Sequence, residues 1–274
     1  MSENDTQKSI RNIIEIVIIL FFCGLTLLFD YLKIDYVEHE LRNKYISKII
    51  QQGCGTIAAI LLMVRLNIRL FGKPQHLLYM IPCLIIAIDN FQFSSYFKGR
   101  FELIHGEAID IMLFALYCLS VGLFEECIFR GIILSVLAGV FSRDRKGFLF
   151  TYVVSSVLFG LAHIFNGNLL QVGYTILTGG LFAFAVMKTK NIFCAAFVHA
   201  LYNFGGLFFE TAERFGLGNG GGSYGMLDSG TVITMLIVCV TVGAFIVYSV
   251  WKYPEEEQMD LYKKLGVSMK KQEE

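Results

Sequence analysis

Apolar residues gather into runs separated by short polar connections, and the length of those runs sets the first expectation. A helix rises about 1.5 Å per residue, so crossing roughly 30 Å of hydrocarbon takes about 20 residues, or slightly fewer where flanking side chains reach for the interface. Eight runs come close to this: 13–29, 49–66, 77–93, 108–141, 148–165, 169–187, 192–209 and 231–251. The fourth would reach about 51 Å as one straight helix, so it must tilt, project from the bilayer or break near Ser120 to Gly122. The pattern predicts an all-α polytopic membrane bundle of about eight transmembrane helices. It divides into N-terminal helices (1–107), a core (108–209), and a Gly-rich loop with a last helix and charged tail (210–274). The connection at 30–48 is expected to be a loop, the Gly-rich stretch at 216–230 a linker, and the tail after Pro254 a solvated helix.

Composition agrees with this pattern. Of 274 residues, 55% are hydrophobic and 14% aromatic, above the balance of an ordinary soluble domain. Run 13–29 ends without a small-residue cleavage site and reads as a retained first helix. The formal net charge is zero, which gives no reason to expect a nucleic acid partner. Cytoplasmic loops carry the excess of Lys and Arg. On one side stand Lys8, Arg11, Arg65, Arg69, Lys73, Arg143, Arg145, Lys146, Lys188, Lys190, Lys252, Lys263, Lys264, Lys270 and Lys271, fifteen in all. On the other stand seven: Lys33, Arg42, Lys44, Lys48, Lys98, Arg100 and Arg214. Both termini are therefore expected in the cytoplasm. The seven cysteines all lie in apolar stretches without a CxxC pair and read as small core or lipid-facing residues.

Against this background the ionisable residues inside the runs stand out, because a charge at the bilayer centre costs about 2.5–3.5 kcal/mol on insertion scales. Three clusters do so: Glu125, Glu126 and Arg130 in LFEECIFRG, His163 in FGLAHIFNG, and His199 with Asn203 in FVHALYNFGG. Glu126 and Arg130, four apart, meet on one helical face and neutralise each other. Glu125 lies about 100° further round and is free to face elsewhere. His199 and Asn203 share a stripe, as do Phe159 and His163. Taken singly, each has a packing alternative, since an intramembrane His or ion pair also serves as helix-to-helix glue. Glu15, Asp30, Asp89, Asp110 and Glu210 sit near run ends and are expected to snorkel as boundary residues. A carboxylate and an imidazole converging on one water make a general base, while a second imidazole and an amide offer donors to an oxyanion. There is no GxSxG elbow for a serine nucleophile. A zinc ligand set of Glu125, His163 and His199 is the metal alternative. HExxH is missing, which weakens the metal case without closing it; the expectation leans to no metal, with zinc the alternative.

The ordered trio EExxxR (Glu125, Glu126, Arg130), FxxxH (Phe159, His163) and HxxxN (His199, Asn203) resembles the motifs of the CAAX protease and bacteriocin-processing (CPBP, or ABI) family. The resemblance covers roughly 108–209. It implies an all-helical intramembrane endopeptidase whose polar residues line a cavity open to the cytoplasm. By position, Glu125 and His163 would activate water, and His199 and Asn203 would stabilise the oxyanion. Glu126, Arg130 and Phe159 would be the structural support. It further implies a peptide or lipidated protein substrate and a multi-pass setting among the lipids of a plasma membrane, here read as bacterial. Two alternatives use the same residues: a non-catalytic immunity or peptide-binding membrane protein, and a proton-coupled transporter. The second is weakened by the lack of an inverted repeat.

Overall fold

The structure, a computed structural model, describes residues 40–91, 107–164, 169–214 and 229–267, with 17–26, Ile14, Leu28 and Val37. Every regular element among the described residues is helical. In chain order these are α1 (Glu40–Arg65), a 3₁₀ turn (Leu77–Tyr79) leading into α2 (Met80–Asp89), and α3 (Ala108–Glu126). A π-helical turn (Cys127–Ile133) then leads into α4 (Leu134–Val140), followed by α5 (Arg145–Ala162) and α6 (Leu169–Thr189). The last three are α7 (Ile192–Arg214), α8 (Ser229–Trp251) and α9 (Glu255–Lys264). By length and composition, Glu40–Arg65 and the continuous rod Ala108–Val140 can each cross a membrane, and shorter apolar helices accompany them. Of the first run, Val17–Thr26 is an apolar helix. Most of the Gly-rich loop lies outside the described residues.

The long fourth run does not break at Ser120 to Gly122. It continues as one rod whose irregularity comes later, in the π turn that begins directly after Glu126. Such turns insert a locally widened register into an α-helix and recur at functional sites. Nor is 40–48 a loop. Leu41 and Tyr45 are buried, and the Tyr45 ring packs 5.6 Å from those of Phe114 and Tyr117, so α1 gains an extra two turns against α3. Asp110 is likewise more than a snorkelling boundary residue. It is buried, closes a capping box with Glu107, and takes Arg42 Nε at 2.7 Å and Nη2 at 3.2 Å.

α1 runs parallel to α3. Arg42 meets Asp110, Gly55 lies under the Phe124 ring, and Met63 lies against Gly131 in the π turn. α7 runs antiparallel to α3, from Phe114 beside Phe204 (5.2 Å) to Gly122 beside Ala196 and Ala200. A Cβ on Gly122 would stand 2.8 Å from the Ala196 carbonyl oxygen and 3.2 Å from the Ala200 nitrogen. Only glycine therefore lets these two helices approach closely enough.

The basic loops that the charge count assigns to one side do share one face. Ile192 N–H donates to the Leu70 carbonyl (2.9 Å), Gln75 N–H to Thr189 (2.8 Å) and Arg69 N–H to Lys264 (2.6 Å). The tail helix is docked here, not solvated. Gln258, Leu261 and Tyr262 are buried, Phe148 stacks on Tyr253 at 5.2 Å, and the Tyr253 hydroxyl donates to the Met187 carbonyl. The Ser135 hydroxyl donates to the Leu265 carbonyl at 2.5 Å, and Gly266, left-handed at φ 73°, turns the chain back against Leu66. Lys190 Nζ lies 2.7 Å from Asp260 and holds its carboxyl below the usual carboxylate range.

Gly122→Val should overpack the α3–α7 seam and lower stability by about 1–3 kcal/mol in thermal unfolding. Gly139→Val, where nothing stands within 4 Å, should not. The Lys190–Asp260 pair keeps Asp260 ionised to lower pH in the folded than in the unfolded chain. Its contribution is therefore full above the ordinary carboxylate range and fades as acid protonates Asp260. Limited proteolysis of the tail should accelerate on acidification through that range, and Asp260→Asn should be fast already at neutral pH.

Candidate active site

α3 delivers two adjacent carboxylates that meet different surroundings. Glu126 and Arg130 are completely buried, with Arg130 Nε 3.2 Å from Glu126 Oε2 as an ion pair outside hydrogen-bond alignment. Arg130 Nη2 donates to the Gly179 carbonyl of α6 at 2.6 Å, and its guanidinium lies 4.4 Å over the Phe159 ring of α5. The other Glu126 oxygen, Oε1, sits 2.9 Å from His199 Nδ1 on α7. One buried carboxylate thus joins the π turn to α7, while Arg130 ties the same turn to α5 and α6.

Glu125 turns away from this pair into a partly accessible position. Its Oε2 stands 3.6 Å from His163 Nε2 and 3.8 Å from His199 Nε2. That oxygen is buried and has no hydrogen-bond donor among the described residues. Side chains from three elements therefore converge on one atom: Glu125 from the end of α3, His163 from the C-terminal cap of α5, and His199 from α7. His163 Nδ1 lies 2.8 Å from the Phe159 carbonyl. A carbonyl only accepts, so Nδ1 carries the proton and the Nε2 of a neutral His163 presents a lone pair towards Glu125. The same reasoning applies at His199, where the carboxylate of Glu126 requires Nδ1–H. His199 can therefore donate from Nε2 only as the imidazolium. Asn203 lies one turn beyond His199 on α7, half-buried, with no hydrogen-bond partner among the described residues.

The site lies nearer to the basic face than to the opposite end of the bundle. His199 is seven residues, about 10 Å of helix, from Ile192, which bonds Leu70 at that face. Glu126 is nine residues from Ser135, about 13 Å, and nineteen from Glu107, about 28 Å.

A zinc ion would need donors spread around one centre. Among the described residues, no three His, Cys, Asp or Glu side chains form a group that could hold a metal ion.

Two parts of the site carry no motif in the sequence. Gly179 contributes only a backbone carbonyl, which no side-chain pattern reports; the one hint is the Gly179–Gly180 pair inside an apolar run. Phe182 stacks on the His199 ring with centroids 4.3 Å apart, yet in LFAFAV it looks like any other span residue.

Residues 107–205 contain all of these motif residues. That stretch matches the Rce1-like family. The family is described as type II CAAX prenyl endopeptidase Rce1-like. No curated protein and no solved structure matches the chain. The Rce1-like match agrees with the resemblance carried by the three motifs and indicates a CAAX protease-type peptidase. With the apolar helices it makes the chain an integral membrane protein.

Removing one partner of a buried ion pair strands the other charge. Arg130→Ala should therefore lower stability by about 3–5 kcal/mol in denaturant unfolding of the detergent-solubilised protein. Arg130→Lys, which keeps the charge but not the planar fork, should fall between it and the wild type.

Proposed function

We propose that this protein is an intramembrane endopeptidase that hydrolyses a peptide bond with water activated by Glu125 and His163. The observation that carries the reading is the buried Glu125 oxygen that finds no donor among the described residues and faces two imidazole nitrogens. A water between the two acceptors would donate one hydrogen to Glu125 and the other to His163 Nε2. As its oxygen attacks the scissile carbonyl carbon, one proton passes to Glu125, and the carbonyl π electrons move onto oxygen. His199, as imidazolium, donates from Nε2 to that oxyanion, and the Asn203 amide is a second donor. Glu126 keeps Nδ1 of His199 protonated and balances its charge. When the tetrahedral carbon collapses, the C–N bond breaks and the proton on Glu125 goes to the departing amine.

The substrate class consistent with this chemistry and with the family match is a peptide or lipidated protein presented near the basic face. We place the enzyme in a bacterial plasma membrane, with both termini in the cytoplasm. No metal takes part in these steps.

A panel of quenched peptides, including lipidated ones, tests the proposal on purified protein. Glu125→Gln and His163→Ala should each slow cleavage by about 10²–10⁴-fold while leaving the unfolding temperature unchanged, and a chelator should have no effect. Full cleavage by Glu125→Gln would reject the assigned role. No cleavage by the wild type of any peptide, with peptides still bound, would favour the immunity or peptide-binding alternative.

A further inference from the structure

α6 crosses the matched stretch without contributing a motif residue, yet it supplies the flat surface against which His199 rests. Phe182 is 1% exposed, and its ring lies 13° from parallel with the His199 imidazole, centroids 4.3 Å apart. The Phe159 ring meets the same imidazole edge-on, at 5.8 Å and 76°. Glu126 holds one atom of that imidazole, Nδ1. A single hydrogen bond leaves the ring free to tilt about its own axis, since the terminal torsion of histidine is broad. A tilt would swing Nε2 away from the point it shares with Glu125.

The placement of Phe182 is itself fixed by the supporting pair. The Gly179 carbonyl, three residues before it, accepts from Arg130. A Cβ on Gly179 would stand 3.0 Å from the Phe159 ring, and one on Gly180 would stand 2.7 Å from the Tyr152 hydroxyl. These two glycines let α6 lie close against α5, and one turn on, Phe182 reaches His199. Both grips on the imidazole, Glu126 and Phe182, are thus registered against Arg130.

We propose that Phe182 is a positioning residue of this peptidase, whose ring holds the His199 imidazole in the plane that keeps Nε2 directed at the reacting group. This rests on the role given above to His199. Phe182 touches neither substrate nor water and acts only through that ring. Small displacements of a catalytic group are costly, about 10²-fold for roughly 1 Å, so loss of the stacking surface should appear in turnover and not in binding.

The test compares Phe182→Leu, which keeps apolar bulk but removes the flat face, with Phe182→Tyr, which retains it. Each is made in the wild-type and His199→Ala backgrounds and assayed on the peptide cleaved best. Phe182→Leu should lower kcat about tenfold or more with KM within about twofold, and Phe182→Tyr should remain within about threefold of wild type. In the His199→Ala background, Phe182→Leu should add nothing further. An unchanged kcat in Phe182→Leu, or an equal loss with and without His199, would overturn the proposal. If His199→Ala itself turns over like the wild type, the oxyanion role fails first. If it is slow and Phe182→Leu is not, only the positioning role fails. A readout independent of activity is the ring-proton resonance of isotopically labelled His199, which the Phe182 ring current displaces upfield. Phe182→Leu should move it back, and a resonance that stays put would also count against the stack.

Discussion

The arrangement depends on making one buried charge tolerable. A carboxylate at complete burial among apolar helices persists only if opposite charge and hydrogen bonds reach it from every side. Glu126 meets that requirement with Arg130 on its own helix and His199 on α7. Arg130 in turn needs acceptors and aromatic faces, and it takes them from Gly179 and Phe159. The neutralisation of one carboxylate thereby fixes the mutual positions of α3, α5, α6 and α7. Its neighbour Glu125, rotated about a quarter-turn round the helix, is left outside the network with an unsatisfied oxygen. Adjacent residues of the same type thus meet different surroundings by helical phase alone, one locked to Arg130 and the other facing two imidazoles.

Much of this was legible in the sequence because it obeys local periodicity. The four-residue spacings of Glu126 with Arg130, Phe159 with His163 and His199 with Asn203 specify shared helical faces before any tertiary contact is known. Apolar run lengths likewise announced the helices, and the charge count grouped loops that the structure joins by hydrogen bonds. Information that belongs to no single helix was not legible. The Gly179 carbonyl, the Phe182 stack and the close approach at Gly122 exist only where two helices meet. The π turn was missed because it preserves an apolar helical pattern while changing only the hydrogen-bond register.

The mistaken readings share one cause, which is treating polarity as a sign of exposure. The place of Asp110 near a run end suggests a snorkelling boundary residue, yet it is sequestered by Arg42. The charged sequence after Pro254 suggests a solvated helix. It docks through a stripe of Gln258, Leu261 and Tyr262 that its charged neighbours obscure. A few well-spaced apolar positions suffice to dock a short helix when backbone carbonyls at its end find donors on the body.

The contact between Ser135 and Leu265 bears on how the polypeptide is made. It ties the rod that bears both carboxylates to a segment emerging from the ribosome 130 residues later. Until that segment arrives, α4 lacks its final anchor and the basic face is open. Order of synthesis therefore leaves the closing of this face to a stretch translated well after the rod that it anchors.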